Sequence, residues 1–407
     1  MVNDFLFKLF LERKSLLKSP KPKEWRENMD FKLSKEQLLI QKTAREFADT
    51  ILGPNREEIE RTNDIPQIVF DSLCELELGG IPHDIEYGGG GGDYLSYALA
   101  LEQMGRYSSG AASIVTANNL SMNALAKFGT EEQKRKWMAD CLALKSFSSF
   151  AFTEPATGSD PKSIESTAKR DGDCFVINGT KRFITNAHLP GPMIIFAKDD
   201  TTGYPTAFLI EKFCEGYSIS ERWDKIGFLG SHVNDVYMKN IRIPAKNQIG
   251  DLGGGYKILR QNIAFGKLSI SALALGRAQG SLEIAVDYAK NKTRRGVPIS
   301  NYGTMKYRLA EMEINTEAVR TMVYRLAWIA SNWTDLDQIA KESAKTKSFV
   351  TRVATDVCRD ALQVLGSYAP MKEYRVEQLY RDSCIGELIE GVQDVQHMII
   401  AGHMGLK

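Results

Sequence analysis

The sequence predicts a multi-domain α+β fold: an N-terminal helical lobe, a small central antiparallel β barrel or sandwich, and a C-terminal up-and-down bundle of the four-helix type. Three observations carry this. Apolar residues recur at three- and four-residue spacing from Ser34 to about Lys145. Short β-rich runs separated by turn residues fill Phe147 to about Gln248. Long, almost proline-free helical patterns return after Gly253-Gly254-Gly255. The implied division is an extension over 1–28, a helical domain over 29–146, a β domain over 147–252 and a helical bundle over 253–407.

In the extension, Phe5, Leu6, Phe7, Leu9, Phe10 and Leu11 precede Lys14, Lys18, Lys21 and Lys23, an amphipathic pattern read as a docking or partner segment. Asp4 and Glu12 argue against a transit peptide, and Met29 offers an alternative natural start. Ser34 with Gln37 forms the signature of a capping box, and Leu38, Ile40, Ala44 and Phe47 follow at helical spacing. Ile81-Pro82-His83 and the run Gly88 to Gly92 interrupt the pattern before a helix near Tyr94. Five glycines can cradle a phosphate, but no Gly-Lys-Ser/Thr follows, so they are read as a permissive loop.

Strand-like runs occupy Cys174 to Ile177, Met193 to Ala197, Ala207 to Glu211 and Val236 to Ile243. No helix-length segment separates them, which disfavours a parallel doubly wound sheet. Helices are expected over Tyr256 to about Lys292 and from Thr304, Leu336, Glu373 and Val392.

The chain has 407 residues, 43% of them hydrophobic and 25% charged, so it can bury several packed layers. Its 52 basic and 51 acidic residues nearly cancel, which removes any global pull towards nucleic acid or an anionic membrane. No uninterrupted apolar run approaches the roughly 20 residues that cross a bilayer. Cys74, Cys141, Cys174, Cys214, Cys358 and Cys384 show no CxxC pair and few His companions, so reduced thiols are expected and a metal site is not.

Three separated motifs suggest chemistry: Phe152-Thr153-Glu154-Pro155-Ala156-Thr157-Gly158-Ser159-Asp160, Phe183-Ile184-Thr185-Asn186, and Ile389-Glu390-Gly391-Val392 after Arg381-Asp382. In this order they resemble the acyl-CoA dehydrogenase family from about Met29 to the end. Abstracting an α-proton from an acyl thioester needs a base at the α-carbon and an electron acceptor on the opposite face. A carboxylate suffices in a dry site, where desolvation raises its pKa and donors on the thioester oxygen acidify the α-proton.

The resemblance implies that Glu390, at the Glu of the family's Tyr-Glu-Gly-Thr motif, is the catalytic base, and that its own N–H helps to polarise the thioester. Glu387, one turn earlier, ranks below it. Some relatives carry the base on the long helix after the β domain, where this chain has Gly266. Ser159, Lys267, Ile389 and Gly391 fall at substrate-binding positions. Lys267 replaces an Arg that helps to hold the CoA portion, and is expected to hold a phosphate as a point charge.

FAD is the implied cofactor. Phe150, Phe152 and Thr153 match positions near the flavin ring, Gly158 and Ser159 positions near the pyrophosphate, and Phe183, Ile184 and Thr185 positions flanking the isoalloxazine. Arg294, Arg295, Gln363 and Gly366 match the segments by which a neighbouring subunit grips the adenosine, although Lys292-Thr293-Arg294-Arg295-Gly296 and Gly366-Ser367-Tyr368-Ala369 depart from the family's pattern. In relatives acting on dicarboxylic chains an Arg follows Ser-Gly on a pocket helix, and here Ala112 stands after Ser109-Gly110. Asn118, Asn119 and Asn123 could line that pocket or face outward.

The resemblance therefore implies α,β-dehydrogenation of an acyl-CoA by a homotetramer that passes electrons to an electron-transfer flavoprotein, in the cytoplasm or, in a eukaryote, the mitochondrial matrix. Two alternatives remain open: an acyl chain delivered on a carrier protein, and a non-catalytic partner subunit of a heteromeric dehydrogenase. Direct use of O₂ is a further option.

Overall fold

A computed structural model describes residues 32–160 and 163–406. The expected amphipathic extension over 1–28 and the start at Met29 lie outside the described residues. Helix α1 (Lys35–Phe47) opens with the reciprocal Ser34/Gln37 capping box and buries Ile40, Ala44 and Phe47. Helices α2 (Gly53–Thr62) and α3 (Gln67–Glu75) follow. The loop Gly88 to Gly92 then leads to α4 (Tyr94–Gly105), capped by Asp93. All five glycine amides in that loop already donate to backbone carbonyls of residues 80 to 85, so none is free for an anion. Helices α5 (Ser109–Phe128) and α6 (Glu131–Leu142) complete the lobe.

The β domain comprises β1 (Ser149–Ala151), β2 (Thr167–Asp171), β3 (Cys174–Thr185), β4 (Pro192–Asp199), β5 (Pro205–Glu211), β6 (Tyr217–Ile219), β7 (Val233–Pro244) and β8 (Gln248–Ile249). The order is β6-β7-β3-β2-β4-β5-β8, with β1 also on β4. The sheet is mixed: β1 and β2 run parallel to β4, and the other pairings are antiparallel. Because Ala151 pairs with Ile195 and Thr167 with Lys198, both short strands share one edge of β4, and the chain between them is extruded from the sheet. That extruded loop is the Thr153–Asp160 motif. Its root is tied by a buried ion pair, Lys181 Nζ to Glu154 Oε1 at 2.6 Å, and Glu154 also accepts the Ser166 N–H.

The bundle consists of α7 (Gly255–Asn291), α8 (Gly303–Asn332), α9 (Leu336–Leu365), α10 (Val376–Leu388) and α11 (Gln393–His403). The hairpin β9 (Thr293–Arg294) and β10 (Val297–Pro298) joins α7 to α8. Helix α10 starts three residues after the expected Glu373, because a 3₁₀ turn over Lys372–Tyr374 and a left-handed Arg375 (φ 54°) precede it. Helix α7 is the axis of the core. Leu268, Leu273, Leu275 and Leu282 are buried along it with residues of α4, α8 and α9. Its approach to α4 is backbone-close: a Cβ on Gly276 would stand 2.3 Å from the Glu102 carbonyl oxygen. No helix among the described residues is long and apolar enough to cross a membrane.

Candidate active site

The loop between α10 and α11 puts Glu390 in the left-handed region (φ 55°), followed by Gly391 (φ 89°). A non-glycine residue there costs energy that its surroundings must offset. Two side chains hold the loop. Lys347 Nζ, from α9, donates to the carbonyls of Glu387 and Gly391 at 2.7 and 2.8 Å. Gln396 Nε2, from α11, donates to those of Glu390 and Gly391 at 3.2 and 2.9 Å. Glu387, the lower-ranked carboxylate, thus contributes its carbonyl to the anchoring. Neither Lys347 nor Gln396 was singled out from sequence, since nothing local marks a Lys or Gln that serves a carbonyl so far along the chain.

The Glu390 carboxyl lies against α7 at Gly266, where a Cβ would come within 2.3 Å of Oε2 and 2.7 Å of Cδ. Glycine at 266 is what lets the carboxylate occupy this place. The residue keeps some solvent exposure, yet desolvation pushes its carboxyl up to about 7 against the opposing pull of Lys267 and Lys347. Among the described residues no donor reaches the carboxylate, and the Glu390 N–H has no acceptor. A part-ionised carboxylate at neutral pH, unengaged and beside a free N–H, is equipped to take a proton and to stabilise a nearby oxyanion.

Lys267, expected at a phosphate, is 2% exposed, and its ammonium has no hydrogen-bond partner among the described residues. It faces Glu390 instead, and burial holds it down to about 8. Ile389 packs its side chain against the main core, and Gly391 supplies the carbonyl that Lys347 and Gln396 share.

At the end of β3 a register shift against β7 between Lys181 and Ile184 brings Phe183 to φ 60° and leaves its ring 54% exposed. The ring meets Trp223 edge-on at 5.4 Å, and the Arg182 guanidinium lies over both. Asp235 ties this cluster by accepting from Arg182 Nη2 and Trp223 Nε1. Ile184 turns into the sheet core, and Thr185 is half-buried beside it. The Arg182 N–H donates to the Thr153 carbonyl at 2.7 Å, so the two motifs are joined directly. Phe150 and Phe152 meet Phe196 edge-on. Gly158 and Ser159 are exposed, and a Cβ on Gly158 would meet only the Thr153 methyl, at 3.6 Å. An uncovered aromatic face, neighbouring hydroxyls and an open glycine backbone suit a flat apolar ring with a polyol and phosphate tail.

The remaining expected residues lie elsewhere. Arg294 and Arg295 are exposed on the hairpin beyond α7, and Gln363 and Gly366 line an open cleft of about 490 Å³ with Tyr380 and Arg381. Within one chain these four do not meet Glu390 or Phe183. Asn118, Asn119 and Asn123 do not face solvent: all three are buried, and their amides donate to the Cys141 and Gly79 carbonyls and to Asn119 Oδ1, the first two fastening α5 to its neighbours.

Family models for the acyl-CoA dehydrogenase N-terminal, middle and C-terminal domains match residues 34–145, 149–241 and 253–405. The chain is 35% identical over 378 residues to the probable acyl-CoA dehydrogenase YngJ of Bacillus subtilis, covering 92% of this chain and 99% of that one. It is 32% identical over 376 residues to the CarC subunit of the caffeyl-CoA reductase–Etf complex of Acetobacterium woodii, covering 91% and 98%. Among solved structures, butyryl-CoA dehydrogenase from Megasphaera elsdenii superposes with a TM-score of 0.89 at 31% identity, covering 92% of this chain and all of the other.

Proposed function

This chain belongs to the acyl-CoA dehydrogenase family of FAD-dependent oxidoreductases, and from that premise we propose that it oxidises the α,β-bond of an acyl-CoA thioester with Glu390 as base. The observation that carries the reading is the Glu390 carboxylate itself: tuned to about 7, without a hydrogen-bond donor, and seated on Gly266.

In this reading Glu390 takes the α-proton onto a carboxylate oxygen. Desolvation makes it a strong enough base, and Lys267 and Lys347 keep a usable fraction ionised at neutral pH. The Glu390 N–H donates to the thioester oxygen, where negative charge develops as the proton leaves. Phe183, Thr185, Thr153, Gly158 and Ser159 would hold FAD, with Phe150 and Phe152 behind the ring. Bound there, FAD supplies the two-electron acceptor for the β-hydrogen. The product is the 2-enoyl thioester.

Arg294, Arg295, Gln363 and Gly366 lie outside this assembly within one chain, which supports a role in gripping the adenosine of a neighbouring subunit in a homotetramer. The electrons then pass to an electron-transfer flavoprotein. Six free cysteines fit a reducing compartment such as the cytoplasm. Anaerobic addition of saturated acyl-CoA thioesters to the FAD-loaded protein tests the proposal. Bleaching of the flavin absorbance by at least one is expected, and its persistence with all of them, on CoA and on carrier protein alike, would overturn it.

A further inference from the structure

Strand β7 meets the register shift in β3 with a single carboxylate. Lys181 pairs with Val236 and Ile184 with Asn234, so Arg182 and Phe183 both stand opposite Asp235. Two residues facing one is a β-bulge, which re-aims the side chains it carries. It brings Phe183 to φ 60°, a conformation that an aromatic residue keeps only where its surroundings over-determine it.

Asp235 supplies that determination. Its Oδ2 accepts from Arg182 Nε and Nη2 at 3.2 and 3.1 Å, along one edge of the guanidinium. Its Oδ1 accepts from Trp223 Nε1 at 3.0 Å and from the Phe183 N–H at 3.4 Å. The main chain of Asp235 is engaged elsewhere: its N–H donates to Ser220 Oγ and its carbonyl accepts the Ser220 N–H. The other amide of the bulge, that of Arg182, is held separately by the Thr153 carbonyl. The carboxylate therefore bears on two rings, through the backbone of Phe183 and through the indole of Trp223. Those rings meet edge-on at 5.4 Å. Asp235 is 3% exposed, whereas Phe183 and Trp223 are 54% and 41% exposed. A buried ion pair is a weak source of stability, since an apolar pair of similar volume often does as well. Four donors on one carboxylate add direction instead, fixed for a pair of uncovered rings.

We propose that Asp235 is a positioning residue for the flavin: through the bulge it fixes the Phe183 ring, with Trp223 braced against it, in the orientation on which the isoalloxazine packs. The proposal rests on the placement of FAD at Phe183 in the reading above. A ring already fixed needs no ordering when the cofactor binds, so the effect is on affinity for FAD.

The test is release of FAD from the holoenzyme on serial dilution, read as a Kd from the recovered flavin fluorescence, with the far-UV spectrum recorded beside it. Asp235→Asn keeps the shape of the side chain but replaces an acceptor by a donor, and should raise the FAD Kd about ten- to a hundredfold. Arg182→Met, at a side chain 33% exposed, removes two of the four donors and should raise it about three- to tenfold. In a Phe183→Ala background Asp235→Asn should raise the Kd by less than about twofold, because the ring through which the carboxylate acts is gone.

Wild-type affinity in Asp235→Asn overturns the proposal, and if that variant does not fold, wild-type affinity in Arg182→Met does so. An effect of Asp235→Asn as large without the Phe183 ring as with it also overturns the proposal, since Asp235 would then be a structural residue. Wild-type protein that holds no FAD sinks the flavin placement, and this proposal with it. No substrate enters the measurement, so a failure of the dehydrogenase reading registers separately, in the bleaching assay.

Discussion

Replacing Lys267 by Met removes one of two cations that keep Glu390 ionised. Lys267 is buried and beyond ion-pair distance of Glu390, yet its charge acts on the desolvated Glu390 carboxyl. At about 6 Å and an effective dielectric of about 20, a unit charge is worth ~2.8 kcal/mol, or about 2 pH units. Reorganisation of the site reduces this, so the acid limb of kcat/KM should rise by about 1 to 2 pH units. The sign follows from the chemistry: loss of a neighbouring cation disfavours the carboxylate, and the protonated form below the limb is inactive. The wild-type limb is expected near the value of about 7 to which burial brings Glu390.

At pH 7 the variant should therefore lose on the order of tenfold in kcat/KM, while its plateau above pH 9 approaches that of the wild type. Lys267→Arg should restore the limb. The assay is kcat/KM against pH from about 5.5 to 9.5, corrected for FAD content. A limb that stays in place while KM for the CoA thioester rises would refute the reasoning, and would return Lys267 to the phosphate contact expected from sequence.

Other substitutions probe the same loop. Glu390→Gln should retain FAD, seen in its absorbance, and lose about 10³-fold or more in flavin reduction by substrate, because an amide cannot take the proton. Gly266→Ala places a Cβ where Oε2 now lies, so kcat should fall about 10²-fold with little change in Tm, as misplaced catalytic groups behave. Lys347→Met leaves the Glu387 carbonyl without its donor and the Gly391 carbonyl with Gln396 alone, and should lower both stability, by about 1 to 3 kcal/mol in denaturant unfolding, and kcat. Phe183→Ala removes the exposed ring and should weaken FAD retention on gel filtration while leaving the far-UV spectrum intact.

Local pattern made much of the fold legible. The Ser34/Gln37 box, the strand runs inside β3, β4, β5 and β7, and the helix starts at Tyr94 and Leu336 depend on neighbours within a few residues, and they occur where the spacing put them. Glu390-Gly391 stood out through the family resemblance of its motif, since a carboxylate beside a glycine at a helix boundary is by itself ordinarily a solvated helix end. What the sequence could not decide was the company that carboxylate keeps. Gly266, Lys267, Lys347 and Gln396 come from three helices, two of them far away in the chain, and the dryness that raises Glu390 is a property of their packing together. The parallel pairing of β1 and β2 with β4 is likewise a matter of which edge is free, which no periodicity records. Lys267 and Arg277 make the point in charge. On a helical sequence either reads as a solvated cation, and only burial within the packed helices turns the first towards the base and leaves two N–H groups of the second without an acceptor among the described residues, because desolvation depends on atoms brought together from distant parts of the chain.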